Sequence, residues 1–230
     1  MSVLSDKISI ANPQQPHVAT VLLLDVSGSM SGEKIAALTE GLSFFKDEVM
    51  KDDLATKRMD LSVIVFGNDV SVLQDFTSIG NFMPPKLTAD GVTPMGEAIL
   101  LAIKLIETRK TQYKSQGIDY FRPWIFLITD GEPTDMEPGR DMWNKVINEV
   151  HQGEENKKFM FFSVAIEPAN MQILKSIAPP SRPPLYLNGV RFRELFSWLS
   201  RSQTDVSRSR PGEMVTLQNP AEGGWCTIST

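Results

Sequence analysis

Val21-Leu22-Leu23-Leu24-Asp25-Val26-Ser27-Gly28-Ser29 decides how this chain is read. Four aliphatic residues without a polar break indicate a strand covered on both faces, as parallel strands are. The run stops on a carboxylate, followed by two hydroxyls at every second residue. Ser31 is placed to cap a helix, and Ile35, Leu38, Leu42, Phe45 and Val49 then recur at spacings of three and four. A buried strand ending in hard oxygen donors just before a helix suits a divalent cation. Carboxylate and hydroxyl oxygens match Mg²⁺, Mn²⁺ or Ca²⁺ and poorly match softer metals.

Two later segments carry the same chemistry. Gly91-Val92-Thr93-Pro94 sets a hydroxyl in a loop, with Pro94 expected as the first residue of a helix bearing Ile99, Ala102, Ile103 and Ile106. Ile125-Phe126-Leu127-Ile128-Thr129-Asp130-Gly131 ends a second apolar strand on a carboxylate. Between these points, Met59 to Phe66 reads as a strand, and Gly67-Asn68-Asp69 turns it back into a hairpin partner over 70–76. The long connection 77–94 contains Pro84-Pro85 and Gly91, and connections of that length are often functional. Further on come a helix over 139–151, a strand from Phe159 to Ile166, a short helix near 170–177, a strand Leu185 to Leu187 and a helix over 191–202. Alternating strands and helices predict an α/β, Rossmann-like fold: a mostly parallel central sheet with one antiparallel edge strand and helices on both faces. Ligands of such sheets bind at the carboxyl ends of the strands, near a topological switch point. Asp25 and Asp130 both stand at such ends.

These segments, in this order, resemble the von Willebrand factor A (VWA) family and its metal-ion-dependent adhesion site (MIDAS), which reads Asp-x-Ser-x-Ser, then Thr, then Asp. The likeness covers about residues 17–203. It implies a metal set of Asp25, Ser27, Ser29, Thr93 and Asp130, with Mg²⁺ as the cofactor and Mn²⁺ or Ca²⁺ as possible substitutes. It also implies a protein partner that supplies an acidic residue to the metal. Leu24 to Glu33, Pro84 to Ala98 and Phe126 to Asp135 further look like the bacterial tellurium-resistance TerY-type branch. That branch implies a cytoplasmic, single-domain protein of tellurite and chemical-stress systems, found in the company of a protein kinase and a PP2C-type phosphatase.

Composition bounds the remainder. With 230 residues, 41% hydrophobic and 22% charged, the chain holds one α/β domain and an ordinary core. A net charge of -5 argues against nucleic acid as the main partner. No apolar run approaches the ~20 residues of a membrane span, and a single cysteine, Cys226, fits a reducing, cytoplasmic compartment. Domain boundaries are expected as a lead-in over 1–15, the domain over 16–203 and a flexible Ser/Thr-containing tail over 204–230, in which Trp225 is a candidate anchor.

The function expected is a non-enzymatic, cation-dependent protein-interaction module. The alternatives are a regulatory substrate phosphorylated on its tail, with metal-independent docking, and a Mg²⁺-dependent hydrolase. The hydrolase lacks an evident general base, because neither His17 nor His151 falls in a suitable place. Glu132, Thr134 and Asp135 are expected on the rim of the same face or in a solvated loop, outside the metal set.

Overall fold

Every residue of β1 (Val18–Asp25) is buried, as its almost continuously apolar sequence requires. The computed structural model describes residues 10–228. Chain order then gives α1 (Glu33–Val49), α2 (Asp53–Arg58), β2 (Met59–Phe66), β3 (Val70–Ser78) and α3 (Met95–Ser115). These are followed by β4 (Trp124–Thr129), α4 (Asp141–Glu155), β5 (Met160–Ile166), α5 (Met171–Ile177), β6 (Leu185–Leu187), α6 (Phe192–Arg208) and β7 (Cys226–Ile228).

The sheet has the strand order β3-β2-β1-β4-β5-β6-β7. From β2 to β6 the neighbours are parallel. β1 is central: the chain first builds outward on one side through β2 and β3, then crosses to β4 on the other. The crevice beside the C-terminal end of β1 is therefore the switch point of the sheet.

Alternation along β1 divides the interior in two. Val18, Leu22 and Leu24 face Leu38, Leu42 and Phe45 of α1 and Phe192, Phe196 and Leu199 of α6. Ala19, Val21 and Leu23 face Ile99, Ala102 and Ile106 of α3, Val146 and Val150 of α4, and Leu174 of α5. Helices on both faces explain why this strand has no polar side.

The sequence expectations differ from the structure in several places. Gly32, with φ 82, takes the N-cap position of α1 in place of Ser31, and no side chain caps it. Ser31 closes a short 3-10 turn at Gly28–Met30, and a positive φ is needed to leave that turn for the helix. Pro94 lies one residue before α3 rather than inside it. α2 was not foreseen; its cap is Asp52, which accepts from the backbone of Leu54 and Ala55 at 3.1 and 2.7 Å.

The largest difference is at the C-terminal end. Residues 204–208 are the last turns of α6, not the start of a tail, and Ser207 is fully buried with its hydroxyl on the Thr204 carbonyl. Cys226–Ile228 adds a second antiparallel edge strand, on β6, where one such strand was expected. The segment docks because it carries an indole: Trp225 lies 6.1 Å from Trp198, centroid to centroid, and only 5% of it is exposed. Trp198 Nε1 donates to the Gln218 carbonyl at 2.8 Å, and the backbone of Asn188 donates to that of Trp225 at 2.9 Å. Residues 1–9 of the lead-in and 229–230 of the tail lie outside the described residues.

Cys226 is buried beside Trp225, and burial pushes its thiol up to about 11. In Trp225→Ala, labelling of Cys226 by an aromatic disulfide at mildly alkaline pH should accelerate about tenfold or more. Each ~1.4 kcal/mol lost from the docked state multiplies the open population by ten. An unchanged rate would show that the strand holds without the indole.

Candidate metal centre

Three loops converge at the C-terminal ends of β1 and β4. The first leaves β1 at Asp25 and makes the 3-10 turn at Gly28–Met30. The second approaches Thr93, and the third leaves β4 at Asp130.

The second loop is held against the first by backbone alone: Asp90 donates to the Val26 carbonyl at 2.7 Å, and Gly28 donates to the Gly91 carbonyl at 3.1 Å. Gly91 has φ 86, and a Cβ there would stand 2.3 Å from Asn68 Oδ1, so glycine is required for this approach. Thr93 is fixed from the other side, where its carbonyl accepts from Thr134 N at 2.9 Å and its amide donates to Thr134 Oγ1 at 3.2 Å.

The five expected side chains meet. Asp25 is fully buried; Oδ1 accepts from the Ser27 amide at 2.8 Å, and Oδ2 accepts from the Thr129 hydroxyl at 2.5 Å. The Ser27 and Ser29 hydroxyls are 3.0 Å apart, and Ser29 donates to Asp130 Oδ1 at 2.6 Å. A Cβ placed on Gly131 would stand 3.1 Å from Thr93 Oγ1 and 3.6 Å from Asp25 Oδ2. The missing side chain leaves a small cradle between those two oxygens. Ser27, Thr93 and Asp130 are buried with Asp25, whereas Ser29 is exposed and marks the open side.

The electrostatics are those of a site short of positive charge. Burial pushes the Asp25 carboxyl above its ordinary value, the Ser27 and Thr129 hydrogen bonds pull it down without cancelling that rise, and Asp130 adds to it by repulsion. Two carboxylates with three hydroxyls form a hard donor set of the kind that fits Mg²⁺, Mn²⁺ or Ca²⁺. Among the described residues no group of three His, Cys, Asp or Glu side chains gathers anywhere, and this centre has only two.

Two participants went unforeseen. Thr129 stands directly before Asp130 and bonds Asp25. The Lys34 ammonium pairs with Asp130 Oδ2 and also donates to the Ser29 carbonyl at 3.3 Å. Its one sequence signal is a cation in the first turn of a helix, where the macrodipole opposes it.

The rim residues have other occupations. The Asp135 carboxylate caps α3, accepting from Gly96 N at 3.0 Å and Glu97 N at 2.7 Å, and Glu132 accepts from Asn170 at 2.7 Å. Neither histidine approaches. His17 stands at the opposite end of β1, 3.1 Å from Asp60, and His151 lies 3.1 Å from the Ala178 carbonyl.

Residues 20–132 match the family described as von Willebrand factor type A domain. No curated protein sequence matches the chain. Among solved structures, the ArnB paralog VWA2 from Sulfolobus acidocaldarius is similar at 19% identity and a TM-score of 0.52, over 81% of this chain and 45% of that one. The pilus adhesin SpaC from Lactobacillus rhamnosus GG gives 14% and 0.61, over 84% of this chain and 30% of that one. Proximal thread matrix protein 1 from the mussel byssus, with a zinc-occupied MIDAS motif, gives 14% and 0.53, over 83% of this chain and 48% of that one. The chain thus spans less than half the length of each, and at these identities the likeness is one of fold. No helix among the described residues is long and apolar enough to cross a membrane.

Proposed function

We propose that this chain is a von Willebrand factor type A domain working as a non-enzymatic, divalent-cation-dependent protein-interaction module. In this reading Asp25, Ser27, Ser29, Thr93 and Asp130 hold Mg²⁺, directly or through ligated water. The observation that carries it is the convergence of two buried carboxylates and three hydroxyls, from three separate loops, at the switch point of the sheet. When bound, the cation supplies an electrophilic docking point for an anionic ligand. The chain's own residues do the rest. Buried Asp25 and Asp130 supply the negative charge, the hydroxyls supply neutral oxygens, and exposed Ser29 leaves one side open to a partner's Asp or Glu. A hydrolase would need a base at this face, and both histidines are engaged elsewhere.

The likeness to the TerY-type segments extends the proposal to a cytoplasmic tellurite or chemical-stress assembly containing a protein kinase and a PP2C-type phosphatase. The test is capture of partners by the full chain in Mg²⁺ and in EDTA, wild type beside Asp25→Ala. A partner retained by wild type with metal, and lost on either change, is the expected result. Partners indifferent to both changes would remove the metal from recognition.

A further inference from the structure

We infer that Lys34 is a built-in competitor for the cation site: its ammonium, paired with Asp130 and held to the Ser29 carbonyl, weakens divalent-cation binding and biases the loaded site toward anionic ligands. The inference rests on the metal reading of this centre and concerns how strongly, and for what partner, the site works.

The placement supports it. Asp130 is the carboxylate contributed by β4, and its side chain has no exposure. Both of its oxygens are taken, Oδ1 by the Ser29 hydroxyl at 2.6 Å and Oδ2 by the Lys34 ammonium. Lys34 is 23% exposed, so its ammonium can yield Asp130 Oδ2 to a stronger cation and still stay at the rim of the centre, held to the Ser29 carbonyl. It extends from the first turn of α1, where the helix dipole disfavours a positive charge, and the buried carboxylate is the group that offsets this. The other acidic groups around the centre do not compete for it: Asp135 caps α3, Glu132 meets Asn170, and Asp90 accepts from Asn68 at 2.8 Å.

The charge count gives the consequence. Asp25 and Asp130 with one ammonium leave a single net negative charge facing a doubly positive ion. The loaded centre then carries one net positive charge, shielded little from a ligand at its open side. A neutral oxygen ligand gains little from that charge, and a carboxylate gains much. One side chain therefore lowers affinity for the metal and raises selectivity for an acidic partner.

The experiment uses the full chain and Mn²⁺, followed by calorimetry and by the spin signal of the free ion. Lys34→Met keeps the aliphatic stem and removes the charge; Lys34→Arg keeps the charge. Removing a unit charge at contact distance from a buried carboxylate should tighten Mn²⁺ binding by about tenfold or more in Lys34→Met. Lys34→Arg should stay within a small factor of wild type. With Mn²⁺ bound, acetate as the probe anion should bind more weakly to Lys34→Met than to wild type. Gain of Mn²⁺ binding by Lys34→Met where wild type shows none would support the inference in its strongest form. Equal Mn²⁺ affinities in wild type and both variants would overturn the inference alone, and absence of Mn²⁺ binding from all three would overturn it together with the metal reading.

Discussion

Asp25→Asn should abolish the rise in melting temperature expected of the wild type in Mg²⁺, while the metal-free variant should melt no lower than metal-free wild type. The two halves of this result come from one carboxylate. Asp25 is fully buried at the end of the central strand, and its folded-state pKa is raised, first by burial and also by Asp130. A raised carboxyl pKa means that the folded protein holds the proton more readily than the unfolded chain. Its stabilising contribution is complete below the ordinary value of 3.8 and is lost as pH rises through the folded value. At neutral pH, without a cation, the ionised carboxylate therefore works against folding. Asparagine removes the charge and can keep both contacts, accepting from the Ser27 amide and donating to a rotated Thr129 hydroxyl. The metal-linked half follows from mass action: an ion at 100 times its Kd adds about 2.7 kcal/mol to a folded state that alone binds it. Scanning calorimetry with Mg²⁺ and with EDTA reads both halves. A Mg²⁺-dependent rise persisting in Asp25→Asn would move the ion elsewhere, and a metal-free drop of several degrees would refute the electrostatic account.

Asp60→Ala should cost about 3–5 kcal/mol of stability, as removal of one member of a buried charge network does. Asp60 lies in β2, 1% exposed, at the pole of the sheet away from the metal centre. Its Oδ2 accepts from Arg109 of α3 at 2.8 Å and from the Tyr113 hydroxyl at 2.5 Å, and it lies 3.1 Å from His17 Nδ1. Arg109 is 3% exposed, so alanine at position 60 strands a buried guanidinium as well as a buried hydroxyl. For a chain of this size the loss corresponds to a fall in melting temperature of roughly 10 °C or more.

The same cluster gives a pH dependence. Burial alone would raise the Asp60 carboxyl, but His17 and Arg109 outweigh it and hold the carboxyl below its ordinary 3.8. This contribution is complete above that value and is lost as pH falls through the lower folded-state value. Acid unfolding of wild type should therefore steepen below about pH 4, and Asp60→Ala should flatten that limb. Melting curves of the two proteins at neutral and acid pH decide the matter; a variant melting within a degree or two of wild type would show that the cluster contributes no net stability.

How much of this was legible depended on how far apart the determining residues stand. β1 and β4 were readable because a strand buried on both faces must be apolar throughout, and Asp25 and Asp130 were readable because each interrupts such a run at its end. Strand-end placement in a parallel sheet put Asp25 and Asp130 on one face, with Ser27 and Ser29 beside Asp25, whereas Thr93, in a loop, joined them only through the likeness to the adhesion-site motif. Lys34 and Thr129 were not readable as participants, because their partners lie 96 and 104 residues away and only the folded loops bring them together. The Asp60 cluster was hidden for the same reason, its four members coming from His17, β2 and two successive turns of α3. α2 has six residues, too few for helical periodicity to show. β7 is three residues long and has a pattern only once β6 and Trp198 give it a surface.

The direction of β7 has a practical bearing. Ile228 stands beside Leu185, the first residue of β6, and Cys226 beside Leu187, the last. Since β6 runs parallel to the central strands, the chain leaves the sheet at the pole opposite Asp25 and Asp130. Anything joined behind Ile228, whether a fusion, a surface linker or a bead, points the open face that carries Asp25 and Asp130 away from its support. Pulling between that attachment and a ligand at the far pole would load the three-residue strand along its length. The seam between β6 and β7 would then part before the central strands do, as a mechanical fuse.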